Sequence, residues 1–372
     1  MQKKIIAMAI AGMVSAPAFA DSQVNFYGVV DAAVVSVSGS NLSSSTVLES
    51  GGPDSTHLGV SASNDLGNGL KAIGTLEYGT DLTNSNGLGS FNARKKMIGL
   101  SSDTMGTLQG GWLPSEAYAF SLKFDPFAEG GADPMGAMVA GGAFLIGWTG
   151  GANHGDHAID YTSPNFSGFT FEIGHQTTDD TPGTGLVLAS GASNNTGTLA
   201  SLNYDQGPLS VGGVYATTSP AHSADAQSEF ALGASYDFEV VKLLGTWQQG
   251  KFKNATAATF APLTVTDPTA NNTAYNLSAT IPAGPGSFAL GYGKTSMGIA
   301  NDIDGSAYAA SYGYPLSKQA KVYLAYEHVT NGSAANLYSV LESSIATNPA
   351  GNLQTDSSAS SNLLALGLTF GF

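Results

Sequence analysis

Residues 154–157 read His-Gly-Asp-His. Two imidazoles and a carboxylate within four residues could ligate a metal such as zinc, but loop histidines at this spacing are more often solvated. Asp302 and Asp304 form a fragment of a calcium loop without its full ligand set. A hydrolytic site would need a nucleophile and a base within reach of each other. Six histidines and many serines are present, yet no Gly-x-Ser-x-Gly elbow occurs. These residues therefore assign no catalytic group, no metal and no cofactor. The chemistry left is electrostatic: charged side chains set along a surface.

That surface is acidic. The 372 residues carry 13 basic and 28 acidic side chains, a net charge of −15. A nucleic-acid partner is excluded, because binding phosphates needs a basic face. Charged residues make up 11% of the chain, against about 25% in soluble domains. There is no cysteine, so an exported protein of this size must be held by backbone pairing and packing.

Export is indicated by residues 1–20. Lys3 and Lys4 precede an uncharged apolar stretch, Ile5 to Val14, and Ala18-Phe-Ala20 has the small-x-small form of a cleavage site. The reading is a signal peptide over 1–20 and a single mature domain over 21–372. No later apolar run approaches the ~20 residues of a membrane helix.

The elements that must position the charges have period two. Phe169, Phe171 and Ile173 alternate with Thr170, Glu172 and Gly174. Phe230, Leu232, Ala234, Tyr236 and Phe238 alternate with Glu229, Ala231, Gly233, Ser235 and Asp237. Leu364, Leu366, Leu368, Phe370 and Phe372 close the chain in the same way. Each segment has a large apolar face and a small or polar one. A soluble sandwich would carry Lys and Glu outside; here the second face is mostly Gly, Ser, Ala, Thr and Asn, which suits a wet lumen with lipid outside.

Short turns rich in Gly, Pro, Asn and Asp, such as Asn64–Gly69, Ser163–Gly168 and Pro282–Pro285, alternate with long polar stretches. The long stretches include Ser38–Ser55, Tyr78–Ser90, Leu113–Asp156 and Asn331–Ser361. Strands are expected to begin near 24, 55, 69, 90, 106, 157, 168, 197, 208, 227, 239, 272, 285, 305, 319 and 362, which makes 16. An even number lets the last strand pair with the first, and lipid tolerates no unpaired sheet edge. The fold class is all-β: a 16-stranded antiparallel transmembrane barrel. At 44 residues, Leu113–Asp156 is too long for a simple connector and reads as a functional loop.

Several segments resemble the general diffusion porins of Gram-negative bacteria, a class of trimeric 16-stranded barrels. Val24-Asn-Phe-Tyr-Gly-Val-Val-Asp31 is similar to that family's first strand. Leu58-Gly-Val and Asn64-Asp-Leu-Gly-Asn-Gly-Leu-Lys-Ala-Ile73 resemble its second hairpin. Phe91–Leu100 with Gly106-Thr-Leu resembles the next. Tyr161-Thr-Ser-Pro-Asn-Phe-Ser-Gly-Phe169 closely resembles its Tyr-x-Ser-Pro-x-Phe-Ser-Gly-Phe turn. Leu316-Ser-Lys318 and Tyr323-x-x-Tyr326 are similar to the penultimate hairpin, and the chain ends on Phe372.

The resemblance implies an outer-membrane homotrimer in contact with lipid and lipopolysaccharide, and a water-filled channel for small hydrophilic solutes and ions. It implies that Leu113–Asp156 is the third loop, folded into the barrel, with Glu116, Lys123, Asp125, Glu129 and Asp133 at the constriction. It makes Phe372 an assembly signal. Where relatives face this loop with wall arginines, this chain has His57 and, near the sixth strand, His154; Arg94 matches one such arginine.

Parity adds Asp31, Glu77, Asp160 and Glu172 to the lumen wall, opposed by Lys71, Lys95, Lys242 and Lys321. Histidine is mostly neutral at pH 7. The expectation is a weakly cation-selective pore. Tyr236, Tyr275, Tyr292 and Tyr326 fall on apolar faces and read as interface or subunit contacts. Tyr27 and Tyr323 have lumen parity and keep open a substrate-selective channel on the same fold. A surface adhesin or structural barrel with a plugged lumen is the alternative of a different class.

Overall fold

The alternating segments are strands, and each is hydrogen-bonded antiparallel to the next. In the computed structural model, the described residues are 22–40, 42–83, 92–139, 144–147, 152–178, 195–219, 227–252, 271–298, 303–332, 338, 340 and 360–372. The expected signal peptide, the start at Asp21, Asp302 and the centres of several long connections lie outside them. The strands are β1 (Ser22–Gly39), β2 (Leu42–Ser50), β3 (His57–Gly67), β4 (Leu70–Gly79), β5 (Asn92–Ser102) and β6 (Gly106–Pro114). They continue as β7 (His154–Thr162), β8 (Phe169–Thr178), β9 (Asn195–Gln206), β10 (Leu209–Ser219), β11 (Gln227–Asp237) and β12 (Lys242–Phe252). The last five are β13 (Asn271–Ala283), β14 (Gly286–Met297), β15 (Ile303–Pro315), β16 (Ala320–Asn331) and β17 (Ser360–Gly371).

Among the described residues, seventeen segments make a closed barrel of 16 strands. One edge of β1 pairs with β3 at its start and with β2 further on. β2 and β3 are thus two halves of one barrel strand, broken over 51–56. The other edge of β1 pairs with β17 from Val29↔Gly371 to Gly39↔Ser361. Phe372 completes that seam: Gly28 N–H donates to its carbonyl at 3.1 Å, and its own N–H donates to the Gly28 carbonyl at 3.0 Å. The seam leaves no edge for lipid to meet.

The first long connection departs from expectation. Ser38–Ser55 is not a loop: β1 runs to Gly39 and β2 returns beside it. Val35, Val37, Thr46 and Val47 are β-branched and favour the extended chain. β7 likewise begins at His154, so His154, Asp156 and His157 are strand residues rather than loop residues.

The apolar faces point outward. Ile98 is 75% exposed in the isolated barrel, and Phe169, Phe171, Ile173, Leu366 and Phe370 are exposed with it. Short turns carry the required left-handed residues. At Gly168 (φ 99°) a Cβ would stand 2.8 Å from the Asp205 carbonyl, so the turn between β7 and β8 needs glycine twice over.

Inside the barrel the small-residue wall is only partly wet. Two dry clusters fill part of the lumen. One joins Val35, Val37, Val329 and Leu363 of the wall to Met135, Met138 and Val139. The other joins Leu199, Val214 and Ala231 to Phe120, Phe124, Leu145 and Ile146. In both, the second group comes from the connection between β6 and β7.

Candidate functional site

Among its described residues, that connection holds two helices, α1 (Glu116–Phe124) and α2 (Pro134–Val139). Ser115 caps α1: its Oγ accepts from the Tyr118 N–H at 3.3 Å and donates to the Ala152 carbonyl at 2.5 Å. Asp133 does the same for α2, accepting from the Gly136 N–H at 2.8 Å, and Pro134 takes the first helical position. Both helices lie against wall strands whose inward residues are tiny. Phe124 rests on Gly212 of β10 and Gly233 of β11; Pro134 rests on Gly291 and Gly293 of β14. A Cβ at Gly212 would sit 2.9 Å from the Phe124 ring. Small residues facing the lumen are thus landing places for the loop.

Polar contacts fix the rest of the loop. Glu229 of β11 accepts from the Leu145 and Ile146 N–H groups at 2.5 and 3.3 Å, and Gln248 of β12 donates to the Ile146 carbonyl at 3.1 Å. Gly131 N–H donates to the Gly52 carbonyl at 3.0 Å, tying the loop to the break in the second barrel strand.

The centre of the site is Arg94 on β5. Its Nε donates to Glu77 Oε1 at 2.8 Å and one terminal nitrogen to Glu129 Oε1 at 2.7 Å. The same nitrogen lies 3.3 Å from the Tyr118 hydroxyl. Tyr27 donates to the second oxygen of Glu77 at 2.8 Å. Wall and loop are thereby joined through one guanidinium, whose planar fork suits two carboxylates. Glu129 holds a left-handed backbone (φ 66°), which is uncommon for a residue with a Cβ.

Around this node His154 stacks on Trp112 at 5.9 Å and faces Tyr118 at 5.2 Å. His57 contacts the Ser55 carbonyl through Nδ1 at 2.6 Å and meets Tyr27 edge-on. Lys123 pairs with Asp205 at 2.8 Å and donates to Asn203 at 3.2 Å. Lys321 pairs with Asp54 at 3.0 Å. In register, Lys95 stands opposite Glu77, Lys71 opposite Asp65, and Lys242 opposite Asp237.

Five acidic residues expected to charge the channel are instead shut away from water. Asp125 is 5% exposed and Asp133 0%; they face each other and Glu327 of β16 beneath the loop. Glu116, 4% exposed, lies against Gly174 and faces Asp160 and Glu172. Asp160 is buried as well and accepts from Gln109 at 3.2 Å, while Glu172 accepts from Thr162 at 3.0 Å. Burial and the neighbouring carboxylates push Glu116 up to about 9, and burial with the charge of Asp133 pushes Asp125 well above the ordinary carboxylate range. Asp31 is the fifth: it accepts from the Tyr323 hydroxyl at 2.7 Å and from Thr369 Oγ1, across the β1–β17 seam. Alternation put Asp31 and Asp160 on the inward face, and the family resemblance put Glu116, Asp125 and Asp133 on the infolded loop, but neither shows how that loop fills the barrel.

Tyr323, entertained as a lumen aromatic, is thereby buried as a seam contact. Sequence reasoning gave no role to Tyr118, Glu229 or Glu327. Glu229 carried a signal, since it stands on the inward parity of an otherwise small-residue face, and Glu327 carried the same one, sharing its parity with Lys321 and Tyr323; Tyr118 carried none. Among the described residues no group of three or more His, Asp or Glu is placed to hold a metal ion.

A closed barrel with a lipid-facing apolar belt and an infolded loop bearing paired charges defines a membrane channel of the outer-membrane type. A sequence profile of the Gram-negative porins matches residues 7–334, and the chain belongs to that family. Outer membrane porin protein 32 of Delftia acidovorans is 29% identical over 91% of this chain and 92% of its own. The solved structure of an anion-selective porin from Comamonas acidovorans superposes with a TM-score of 0.77 at 26% identity, covering 95% of this chain and all 100% of that one. The trimer form of OmpT from Vibrio cholerae superposes with a TM-score of 0.63 at 14% identity, over 95% of this chain and 100% of that one. The protein is an outer-membrane porin.

Proposed function

We propose that this porin passes small hydrophilic solutes and ions by passive diffusion, with a weak preference for cations. One observation carries the selectivity: the chain's single arginine is held by two carboxylates, Glu77 and Glu129. Within this ion-paired group one guanidinium meets two carboxylates, a net negative charge where loop meets wall that low-dielectric surroundings focus. Lys95, opposite Glu77 in register, is the cation that counters it from the wall. Lys123 and Lys321 are each matched by one aspartate. The mature chain starts at Asp21 and assembles as a homotrimer, in keeping with the trimeric porin structure of the same fold.

Anion selectivity is the second reading, favoured by the likeness to the anion-selective Comamonas porin. Reversal potentials in a potassium chloride gradient separate the two. A potential of cation sign, falling as salt screens the charges, is expected. Glu129→Gln should move it toward chloride, whereas Asp125→Asn and Asp133→Asn should leave it unchanged, since neither carboxylate meets the channel water. A clear chloride preference in the unmodified protein overturns the proposal.

A further inference from the structure

Beneath the infolded loop lies a chamber of about 480 Å³, within the size range of small-molecule sites. Its roof is the loop segment Pro126, Phe127 and Gly130–Ala132, and its far side is Pro53. Its wall is made from β13–β17, with Ala289, Ala325 and Ala365 among the inward residues. Pro285 and Pro315, at the short turns, mark its lower end. For a passage that water-soluble ions merely cross, this surface is unusually apolar. Its polar groups are few: the hydroxyls of Thr280, Ser287 and Ser311, that of Tyr323, which is already donated to Asp31, and the ammonium of Lys321.

Among the described residues, Lys321 is the single charged one lining the chamber, and no carboxylate lines it. It does pair with Asp54, but both side chains are about 40% exposed, and an ion pair so placed is weak. An ammonium has three donors, and the Asp54 contact occupies one of them. The remaining donors can meet an anion that enters from the short-turn side. The chamber thus combines one cationic group with an apolar enclosure and a few hydroxyls.

We propose that this chamber is a binding subsite for organic monocarboxylates with a compact apolar body, aryl or alicyclic, whose carboxylate is held by Lys321. The apolar body is matched to Phe127, the prolines and the alanines. The proposal rests on the channel reading only in placing the chamber on the permeation path; it does not depend on the ion preference.

Single channels of the full protein in planar bilayers in potassium chloride provide the test. Benzoate, cyclohexanecarboxylate, acetate and benzyltrimethylammonium are added separately to the short-turn side. Benzoate and cyclohexanecarboxylate should interrupt the current in a concentration-dependent way. Acetate, which lacks the body, and benzyltrimethylammonium, which lacks the charge, should need about tenfold higher concentrations. Lys321→Gln should weaken the benzoate block by about tenfold, the loss expected when a charge-assisted hydrogen bond is removed. Gly313→Leu is the second variant. A Cβ at Gly313 meets nothing within 4 Å, so a leucine there can occupy the chamber without disturbing the wall, and it should abolish the block.

Equal action of benzoate and benzyltrimethylammonium overturns the proposal, as does a block that survives both variants. Calorimetric titration of benzoate into the detergent-solubilised protein reads the subsite without current. Binding without current counts against the channel reading alone, and current without binding or block counts against the subsite alone.

Discussion

Glu116 opens the α1 helix with its carboxyl buried opposite Asp160 and Glu172. Its folded value of about 9 lies above its ordinary 4.5, so the folded state favours the protonated form. Docking of the loop is therefore fully supported below about 4.5 and weakens progressively as pH rises toward about 9. Glu116→Gln removes the ionisable group and keeps its shape. We expect the variant to melt at a higher temperature than the parent at pH 8.5 and at a similar temperature at pH 4, by thermal unfolding in detergent. A parent whose stability rises between those pH values would refute the assignment. The position of Glu116 inside the barrel was legible only through the family resemblance, which made its long loop the infolded one. Its burial was not, because Asp160 and Gly174, which enclose it, meet residue 116 only through the register of β6, β7 and β8 together with the fold-back of the loop.

At the scale of the element, the strands were readable nearly to their ends, since side-chain alternation and turn chemistry act within a few residues. β9 begins at Asn195 against an expected start near 197, and β13 at Asn271 against 272. β2 was missed because a run of Ser and Thr reads as loop until its pairing with Val35 and Val37 is seen. The infolded loop was readable as long and functional, but its helices were not. They are short, and what holds them is the glycine floor of β10, β11 and β14 rather than their own propensity. This yields a further expectation. Phe124→Ala empties a fully buried site, a change worth about 3 kcal/mol or more in packed cores. The barrel should still form, as judged by its gel mobility before heating, while proteolysis within residues 113–153 should become faster. Unchanged proteolysis would show that the ring does not anchor the loop.

The molecule as a whole depends on one seam. β1 and β17 meet along 11 residue pairs, and Phe372 adds two backbone hydrogen bonds to Gly28 and ring contacts with Phe26 at 5.7 Å and Phe370 at 6.2 Å. Asp31, Tyr323 and Thr369 bridge the same seam from inside. Deleting Phe372 should therefore lower the yield of the heat-modifiable form on gels, and wild-type yield would argue that the terminal residue is dispensable. Closure itself was legible from an even strand count and the alternating terminal segment. The inside bridge was not, since it joins residues 292 and 338 positions apart.

The contacts of the infolded loop also impose an order on events. Gly131 reaches the Gly52 carbonyl, Glu129 reaches Arg94, and Asp125 and Asp133 face Glu327 on the penultimate barrel strand. These partners are brought to one place only when the first and last thirds of the chain have met. Contacts so distant in sequence are slow to form, because the intervening chain must be ordered first. The loop's full set of contacts therefore waits on closure of the β1–β17 seam, and the expected order is a wall completed first with its interior still open. A newly inserted molecule would at that moment be a wider hole in the membrane than the mature one, and the rate of loop docking sets how long the cell is exposed to it.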